Sequence, residues 1–309
     1  MTFSTGYLEQ VDLLLEILPL INEQPCFALK GGTAINLFVR DMPRLSVDID
    51  LTYLPIEPRE IFLENMTAEI RVLSKNIKNK KNNRYKVNEI FGKESGQLLK
   101  LLVLKDGVSI KIEPNFILRG SVFECEEKAL CQKAQDQFLK YTKIKTLSFA
   151  DIYGGKICAA LSRQHPRDLF DIKLLLENEG ITEEIRKAFV VYLASNSKPM
   201  HEILSPRQNL QEMKQLFEEG FSGMTQISVS FEDLVETQKN LKKHILESLT
   251  LNECQFLLSM KNGEADWSMI NVNGVDKLPA LQWKLINIKK MDKQKQKIAY
   301  EKLKAVLNN

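Results

Sequence analysis

The spacing of apolar positions changes along this chain and predicts two differently built parts. Residues 7–22 repeat apolar side chains at a helical period, and Pro25 follows them. The segments "CFAL", "SVDIDLTYL" and "YKVNEIFG" are typical of strands, and a helical period lies between them over residues 59–78. The clearest hairpin signal is "QLLKLLVLKDGVSIKIEPNF", because Asp106-Gly107 suits a type I′ turn between two apolar runs.

From about Leu147 onward every predicted element is a helix. "SFADIYGGKICAALSRQ" and "PRDLFDIKLLLENEG" have helical apolar spacing, with Pro166 as a start signal and Gly180 as a stop. Further helices are predicted over residues 182–195, 208–220, 230–248, 251–260 and 280–307. We therefore predict an α+β protein, in which a small mixed sheet with helices spans residues 1–145 and a mainly α-helical part spans residues 146–309.

Composition narrows the class of protein. The 309 residues are 44% hydrophobic and 27% charged, as in a soluble globular protein, and no apolar run approaches the roughly 20 residues that cross a bilayer. The N-terminal segment lacks the basic start of a signal peptide. The five cysteines are scattered and form no CxxC pair, which argues against zinc and disulfides. We expect a cytoplasmic protein with no membrane partner.

Two basic stretches stand out against a net charge of only +3. Residues 71–86 hold seven basic side chains and no acid, and residues 284–304 hold eight lysines and two acids. Such stretches can contact nucleic-acid phosphates. The alternative is that each forms an ordinary solvated helix face.

Candidate chemistry begins with "KGGTAINLFVRDMPRLSVDIDL". In a strand, Asp48 and Asp50 lie on one face, where two carboxylates repel each other unless a cation lies between them. Carboxylate oxygens are ligands that Mg²⁺ prefers, usually together with substrate phosphates. The turn at Gly31-Gly32, followed by Thr33 as the expected N-cap of a helix over "AINLFVR", is suited to an anion because glycine lets the backbone come close. Together these features predict a metal and phosphate site.

This segment resembles the signature of the polymerase beta-like nucleotidyltransferases, and more closely that of the AbiEii/AbiGii toxins with their MenT-like members. That branch has KGGT followed by R-x-S-x-D-I-D-L. The matching residues are Lys30, Gly31, Gly32, Thr33, Arg44, Ser46, Asp48, Ile49, Asp50 and Leu51. The resemblance implies a nucleotidyltransferase domain over residues 1–145, with Lys30 to Thr33 and Ser46 at the nucleotide.

A second motif of that branch is a lysine followed by R-D-x-x-D, and "ADIYGGKICAALSRQHPRDLFDIKLL" matches it with Lys156, Arg167, Asp168 and Asp171. The resemblance implies that Lys156 contacts the triphosphate and that Asp168 supports catalysis. The alternative is a salt-bridge lattice between two helices, to which Arg163, seven residues after Lys156, could belong. The small neighbours of Lys156 would let this lysine lie close to another surface. The roles of Arg163, Arg167 and Asp171 stay open.

Glu113 is a candidate third carboxylate, on the second strand of the hairpin. Nucleotidyltransferases of this fold commonly place a metal ligand or general base on a later strand. The alternative is an exposed strand residue paired with Lys111 or another neighbour. His165 lies next to the R-D-x-x-D motif, and an isolated histidine at such a place more often has a structural role than a catalytic one.

These residues predict a metal-dependent nucleotidyltransferase, with Asp48, Asp50 and Glu113 as ligands of Mg²⁺ or Mn²⁺ and Lys156 at the phosphates of a nucleoside triphosphate. The resemblance implies a toxin with a cognate antitoxin encoded nearby and an RNA acceptor, in particular the 3′ end of tRNA. Alternatives are transfer to a hydroxyl of a protein or small molecule, and a nucleotide- or RNA-binding module without turnover. The sequence selects none of the four nucleotides.

Overall fold

A computed structural model describes residues 3–80, 84–207 and 209–308 of the chain. They form two compact units. The first comprises Met1–Ser148 together with Gly223–Ser228, and the second comprises Phe149–Ser222 and Val229–Asn309. Residues 223–228 therefore leave the helical part of the sequence and belong to the sheet-containing unit. None of the helices in the described part of the chain combines the length and the apolar character needed to cross a bilayer.

The first unit is built on a seven-stranded mixed sheet. Its strands are β1 (Phe27–Lys30), β2 (Asp48–Tyr53), β3 (Lys86–Phe91), β4 (Leu98–Lys105), β5 (Val108–Asn115), β6 (Glu126–Ala129) and β7 (Lys143–Thr146). Their order is β3-β4-β5-β2-β1-β7-β6. The pairs β2–β5 and β1–β7 are parallel and the other pairs are antiparallel. This confirms the predicted mixed α/β fold, with β7 as a strand that the apolar pattern did not predict.

Helices of the first unit are α1 (Thr5–Asn22), the short α2 (Gly31–Ala34), α3 (Arg59–Asn79) and α4 (Gln132–Phe138). A π-helical turn, Ile35–Val39, continues directly from α2. The predicted hairpin is confirmed: β4 and β5 pair through Asp106 and Gly107, whose φ angles are both positive, as a type I′ turn requires.

A charged cluster ties α1 to the sheet. The carboxylate of Glu16 accepts hydrogen bonds from Tyr85 Oη at 2.6 Å and from Lys105 Nζ at 2.7 Å. Burial alone would raise the pKa of Glu16, but the hydrogen bonds from Lys105 and Tyr85 outweigh it and lower that pKa to about 2. The negative charge of Glu16 is therefore part of the folded state near neutral pH.

The second unit contains only helices as regular elements in the described residues. They are α5 (Phe149–Arg163), α6 (Pro166–Asn178), α7 (Glu183–Ser195), α8 (Met200–Leu204), α9 (Leu210–Gly220), α10 (Phe231–Ser248), α11 (Leu251–Asn262), α12 (Pro279–Lys289) and α13 (Lys293–Leu307). The single helix predicted over 280–307 is thus wrong. It is divided because the side chain of Asp292 caps α13, accepting from Lys295 N at 3.0 Å.

Candidate functional site

The two aspartates of β2 lie on one face, as their spacing predicts. Asp48 and Asp50 are half-buried, whereas Ile49 and Leu51 between and after them are buried. In the parallel pairing of β2 with β5, Asp48 is the register partner of Lys111 and Asp50 that of Glu113. Register partners share a face, so the three candidate carboxylates and one lysine lie on the same side of two adjacent strands.

Glu113 is held by a neighbouring strand. Its Oε1 accepts from Lys100 Nζ at 2.9 Å, and the two side chains are 38% and 37% exposed. The sequence left open a pairing with Lys111 or another neighbour, and the structure shows Lys100 on β4. An ion pair this exposed stabilises little and can exchange partners. The proposed role of Glu113 at a metal stays a prediction.

The fit of a divalent ion can be judged from the donors themselves. Within residues 3–80, 84–207 and 209–308, no three His, Cys, Asp or Glu side chains are grouped closely enough to hold a metal ion by themselves. Two carboxylates on one face are nevertheless what Mg²⁺ takes from a protein when substrate phosphates supply further oxygens. The pair of Asp48 and Asp50 therefore fits such an ion, and Glu113 fits it only after leaving Lys100.

The glycine turn leaves room for the polar groups beside it. Gly31 has a φ of +73°, and a Cβ built on it would overlap Oδ2 of Asp50. A Cβ on Gly32 would lie 2.8 Å from Nη2 of Arg44 and 2.8 Å from Oγ of Ser46. Any larger residue at either position would displace these side chains. The two glycines are needed here for a left-handed backbone and for close approach.

Thr33 has a different role from the N-cap that the sequence predicts. Helix α2 already begins at Gly31, with Lys30 at the N-cap position and no side-chain cap. Thr33 is fully buried, and its Oγ1 donates to the carbonyl oxygen of Asp48 at 2.5 Å and lies 3.1 Å from Oγ of Ser46. The N-cap prediction is therefore wrong, because the hydroxyl braces the glycine turn against β2.

Arg44 of the KGGT…R-x-S-x-D-I-D-L motif supports the glycine turn and the loop before β2. It is only 2% exposed, its Nη1 donates to the carbonyl oxygen of Leu45 at 2.9 Å, and its other terminal nitrogen lies beside Gly32. The signal for it in the sequence is its place between the glycine turn and the aspartate pair, whereas its burial is known only from the structure.

The second motif forms a buried charge cluster within the helical unit. Lys156 Nζ of α5 lies 2.8 Å from Oδ1 of Asp168 and 3.1 Å from Oδ2 of Asp171, both on α6. The three side chains are 6%, 1% and 0% exposed. Arg163 adds a two-pronged contact, with Nε 2.5 Å from Oδ2 and Nη2 3.0 Å from Oδ1 of Asp168. The cluster thus contains the salt-bridge lattice that the sequence left as an alternative.

The cluster holds Asp168 in the charged form. Burial alone would raise the pKa of Asp168, but the neighbouring Lys156 and Arg163 outweigh it and hold that pKa well below its usual range. His165 at the start of α6 accepts from the backbone N–H of Arg167 through Nδ1 at 3.1 Å, so it caps the helix. It has the structural role expected of an isolated histidine at this position.

The small residues before Lys156 do bring its helix close to another. A Cβ on Gly154 would lie 2.7 Å from Cβ of Ala188 and 2.7 Å from the backbone nitrogen of Phe189, both on α7. A Cβ on the adjacent Gly155 would have nothing within 4 Å. Gly154 is therefore needed for the close packing of α5 on α7, whereas Gly155 has no part in that packing.

A mixed sheet with paired strand carboxylates beside a glycine turn, in a chain that continues into a helical unit with a lysine and aspartate cluster, fits the class of nucleotidyltransferases. Residues 12–285 match the family described as "Nucleotidyl transferase AbiEii toxin, Type IV TA system". The chain belongs to this AbiEii family. Membership implies a nucleoside triphosphate as substrate and an antitoxin as partner.

The fold is also that of a solved toxin. MenT4, a nucleotidyltransferase toxin from Mycobacterium tuberculosis H37Rv, superposes with a TM-score of 0.59 over 92% of this chain and 95% of its own. The two sequences are 13% identical, so this likeness bears on the fold. No curated protein matches the chain by sequence.

Proposed function

We propose that this nucleotidyltransferase moves a nucleoside monophosphate from a nucleoside triphosphate to a hydroxyl of RNA, at the 3′ end of tRNA, and releases pyrophosphate. The observation that carries the proposal is the shared face of β2 and β5. It presents Asp48, Asp50 and Glu113 on one side, with Glu113 the register partner of Asp50, and the glycine turn at Gly31 lies directly against Asp50. Metal-assisted phosphoryl chemistry needs such a set of oxygens next to a backbone that admits phosphate.

Asp48 and Asp50 would hold Mg²⁺ or Mn²⁺, and Glu113 would join them on release from Lys100. A divalent ion bound there would neutralise phosphate charge and favour the ionised hydroxyl. The backbone of Gly31 and Gly32 would hold the outer phosphates, since no side chain at those positions blocks them. Lys30, Thr33 and Ser46 would complete the nucleotide site, with Thr33 acting through its backbone because its hydroxyl is engaged.

In the reaction, the hydroxyl oxygen of the acceptor forms a bond to the α-phosphorus while the bond from that phosphorus to the pyrophosphate oxygen breaks. The hydroxyl proton would go to a carboxylate of the strand face, and Glu113 is the candidate if it acts as general base instead of metal ligand. Lys156 would neutralise the triphosphate, with Asp168 supporting it. In the structure both are engaged with each other, so this role requires Lys156 to exchange a partner.

The RNA acceptor is supported by the C-terminal basic stretch. Seven of its lysines are exposed on α12, α13 and the turn between them: Lys289, Lys290, Lys293, Lys295, Lys297, Lys302 and Lys304. Several basic residues of the other stretch have local partners, such as Lys78 with Glu89 and Arg84 with Asp106. Residues 81–83 of that stretch lie outside the described residues. Exposed positive charge in one stretch suits a phosphate backbone.

The test is label transfer from each of the four α-labelled triphosphates to purified tRNA, to total protein and to buffer alone, with Mg²⁺, with Mn²⁺ or with a chelator. We expect label at the tRNA 3′ end, abolished by the chelator, with pyrophosphate formed in equal amount. Label on protein alone would contradict the RNA acceptor. Nucleotide binding without pyrophosphate release under every condition would contradict turnover.

A further inference from the structure

Residues 223–228 form a strap that fastens the loop before β2. They connect α9 with α10, yet they belong to the sheet-containing unit. The carbonyl oxygen of Met224 accepts from Leu45 N at 2.7 Å, and Oγ1 of Thr225 donates to the carbonyl oxygen of Pro43 at 2.9 Å. Thr225 also forms an antiparallel bridge with Arg44. Met224 and Thr225 are 1% and 5% exposed, so these contacts are shielded from water.

The hydroxyl of Thr225 is used twice. Besides donating to Pro43, it accepts from the backbone N–H of Ile227 at 3.0 Å, which closes the strap on itself. The strap is also anchored at its start, where the carbonyl oxygen of Gly223 accepts from Ser4 N at 3.0 Å. Such a network fixes a backbone position far better than apolar contact alone, because hydrogen bonds are directional.

The loop that the strap holds is conformationally demanding. Met42 is buried with a φ of +50°, a region that residues other than glycine rarely adopt. The surrounding structure must keep such a conformation in place. The contacts of the strap begin at the next residue, Pro43, and extend to Leu45.

The same loop leads directly into the proposed site. Arg44, the bridge partner of Thr225, lies beside Gly32 of the glycine turn. Ser46 lies 3.1 Å from Oγ1 of Thr33, which in turn donates to the carbonyl oxygen of Asp48. A continuous series of short contacts therefore runs from Thr225 to the turn and to the first aspartate.

We propose that Thr225 is a positioning residue, which acts through the loop at residues 43–46 to hold the glycine turn and Asp48 in the geometry needed for transfer. The inference rests on the proposed function for its catalytic consequence. Its structural part, that the hydroxyl of Thr225 orders this loop, stands apart from the reaction. Misplacement of a reacting group by about 1 Å can cost up to ~10²-fold in rate, so a partial loss of order should be visible in kcat.

The experiment compares Thr225→Val, which removes the hydroxyl at nearly constant shape, with Thr225→Ser, which keeps it. In the full chain we expect Thr225→Val to speed amide hydrogen exchange in residues 42–47 and to lower kcat about tenfold, with a smaller change in the KM for the nucleotide. Thr225→Ser should keep both the exchange rate over residues 42–47 and kcat near their wild-type values. Thr237→Val is the matched control, since Thr237 is a buried threonine on α10 whose hydroxyl donates to the carbonyl oxygen of Asp233 on the same helix.

Unchanged exchange over residues 42–47 in Thr225→Val would overturn the proposal, and so would a loss of kcat that Thr237→Val reproduces. If the wild-type chain transfers nothing from any nucleotide, the proposed function fails. The exchange measurement then still decides whether the strap orders the loop, because it needs no turnover.

Discussion

The chain has two glycine pairs next to a lysine, and they do opposite things. In Lys30-Gly31-Gly32 the glycines allow a left-handed backbone and the approach of polar side chains, whereas in Gly154-Gly155-Lys156 they lie inside a regular helix. The first pair opens onto half-buried carboxylates on β2. The second pair precedes a lysine that is almost fully buried against aspartates.

The charges around the two pairs differ in the same way. On β2 and β5, Asp48 and Asp50 share a half-buried face with Lys111, and Glu113 pairs with a partly exposed lysine. In the helical cluster, Lys156 and Arg163 balance Asp168 and Asp171 within the cluster itself. Two half-buried carboxylates beside a glycine turn suit a bound cation together with phosphate, while a balanced buried cluster is complete without one. Activity should therefore depend most on the first region and stability most on the second.

The largest effect should come from Asp48→Asn. Loss of one strand carboxylate removes a ligand from a site that stabilises several kcal/mol of transition-state charge, so we expect transfer to fall by about 10³-fold. Stability should change by no more than about 0.5 kcal/mol, because the residue is half-buried. The measurement is pyrophosphate release together with urea unfolding. Asp106→Asn is the control, since asparagine also suits the type I′ turn. A variant that keeps full transfer would end the assignment of this face as the catalytic one.

The next effect is on stability and concerns Lys156→Met. The change leaves two buried aspartates without their shared cation, which should cost about 3–5 kcal/mol in the free energy of unfolding. Urea denaturation followed by circular dichroism measures it. Lys173→Met, which removes a lysine from the i,i+4 pair with Glu177 in the same unit, should cost less than about 1 kcal/mol.

A double variant sharpens this comparison. Lys156→Met with Asp171→Leu restores the charge balance and should recover much of the lost stability. If Lys156 also contacts the triphosphate, transfer should stay low in the recovered protein. Equal recovery of stability and transfer would show that the lysine acts only as a structural member of the cluster.

Much of the site could be predicted from the sequence because its signals are local. Period-two spacing put Asp48 and Asp50 on one face of β2. The hairpin turn identified β5 as a strand, and its alternation put Glu113 on the face opposite to Ile110 and Ile112. The register of Asp50 with Glu113 is a tertiary fact, since parallel strands are joined only through distant chain. The sequence could suggest a third carboxylate but not its ion pair with Lys100.

Three of the misses have a shared physical cause, unlike the helix over 280–307, which a local cap divides. β7 has only four residues, "KIKT", and becomes a strand by pairing with β1 and β6. Thr33 is a good N-cap by type, yet a backbone oxygen of β2 binds its hydroxyl. The strap at residues 223–228 has no periodic pattern, and its partners lie about 180 residues away. In each case a long-range hydrogen bond decided the structure, and local propensity cannot supply such a partner.

The smallest predicted effect is a difference in stability between alanine variants at Gly154 and at Gly155. Gly154→Ala places a methyl group against Ala188 and Phe189 of α7, so we expect a loss of about 1–3 kcal/mol from overpacking. Gly155→Ala meets no atom within 4 Å and should raise stability by up to about 1 kcal/mol, because alanine favours a helix. Thermal unfolding of both variants measures the difference, and each serves as the control for the other. Equal shifts would mean that α5 does not pack closely on α7 at Gly154.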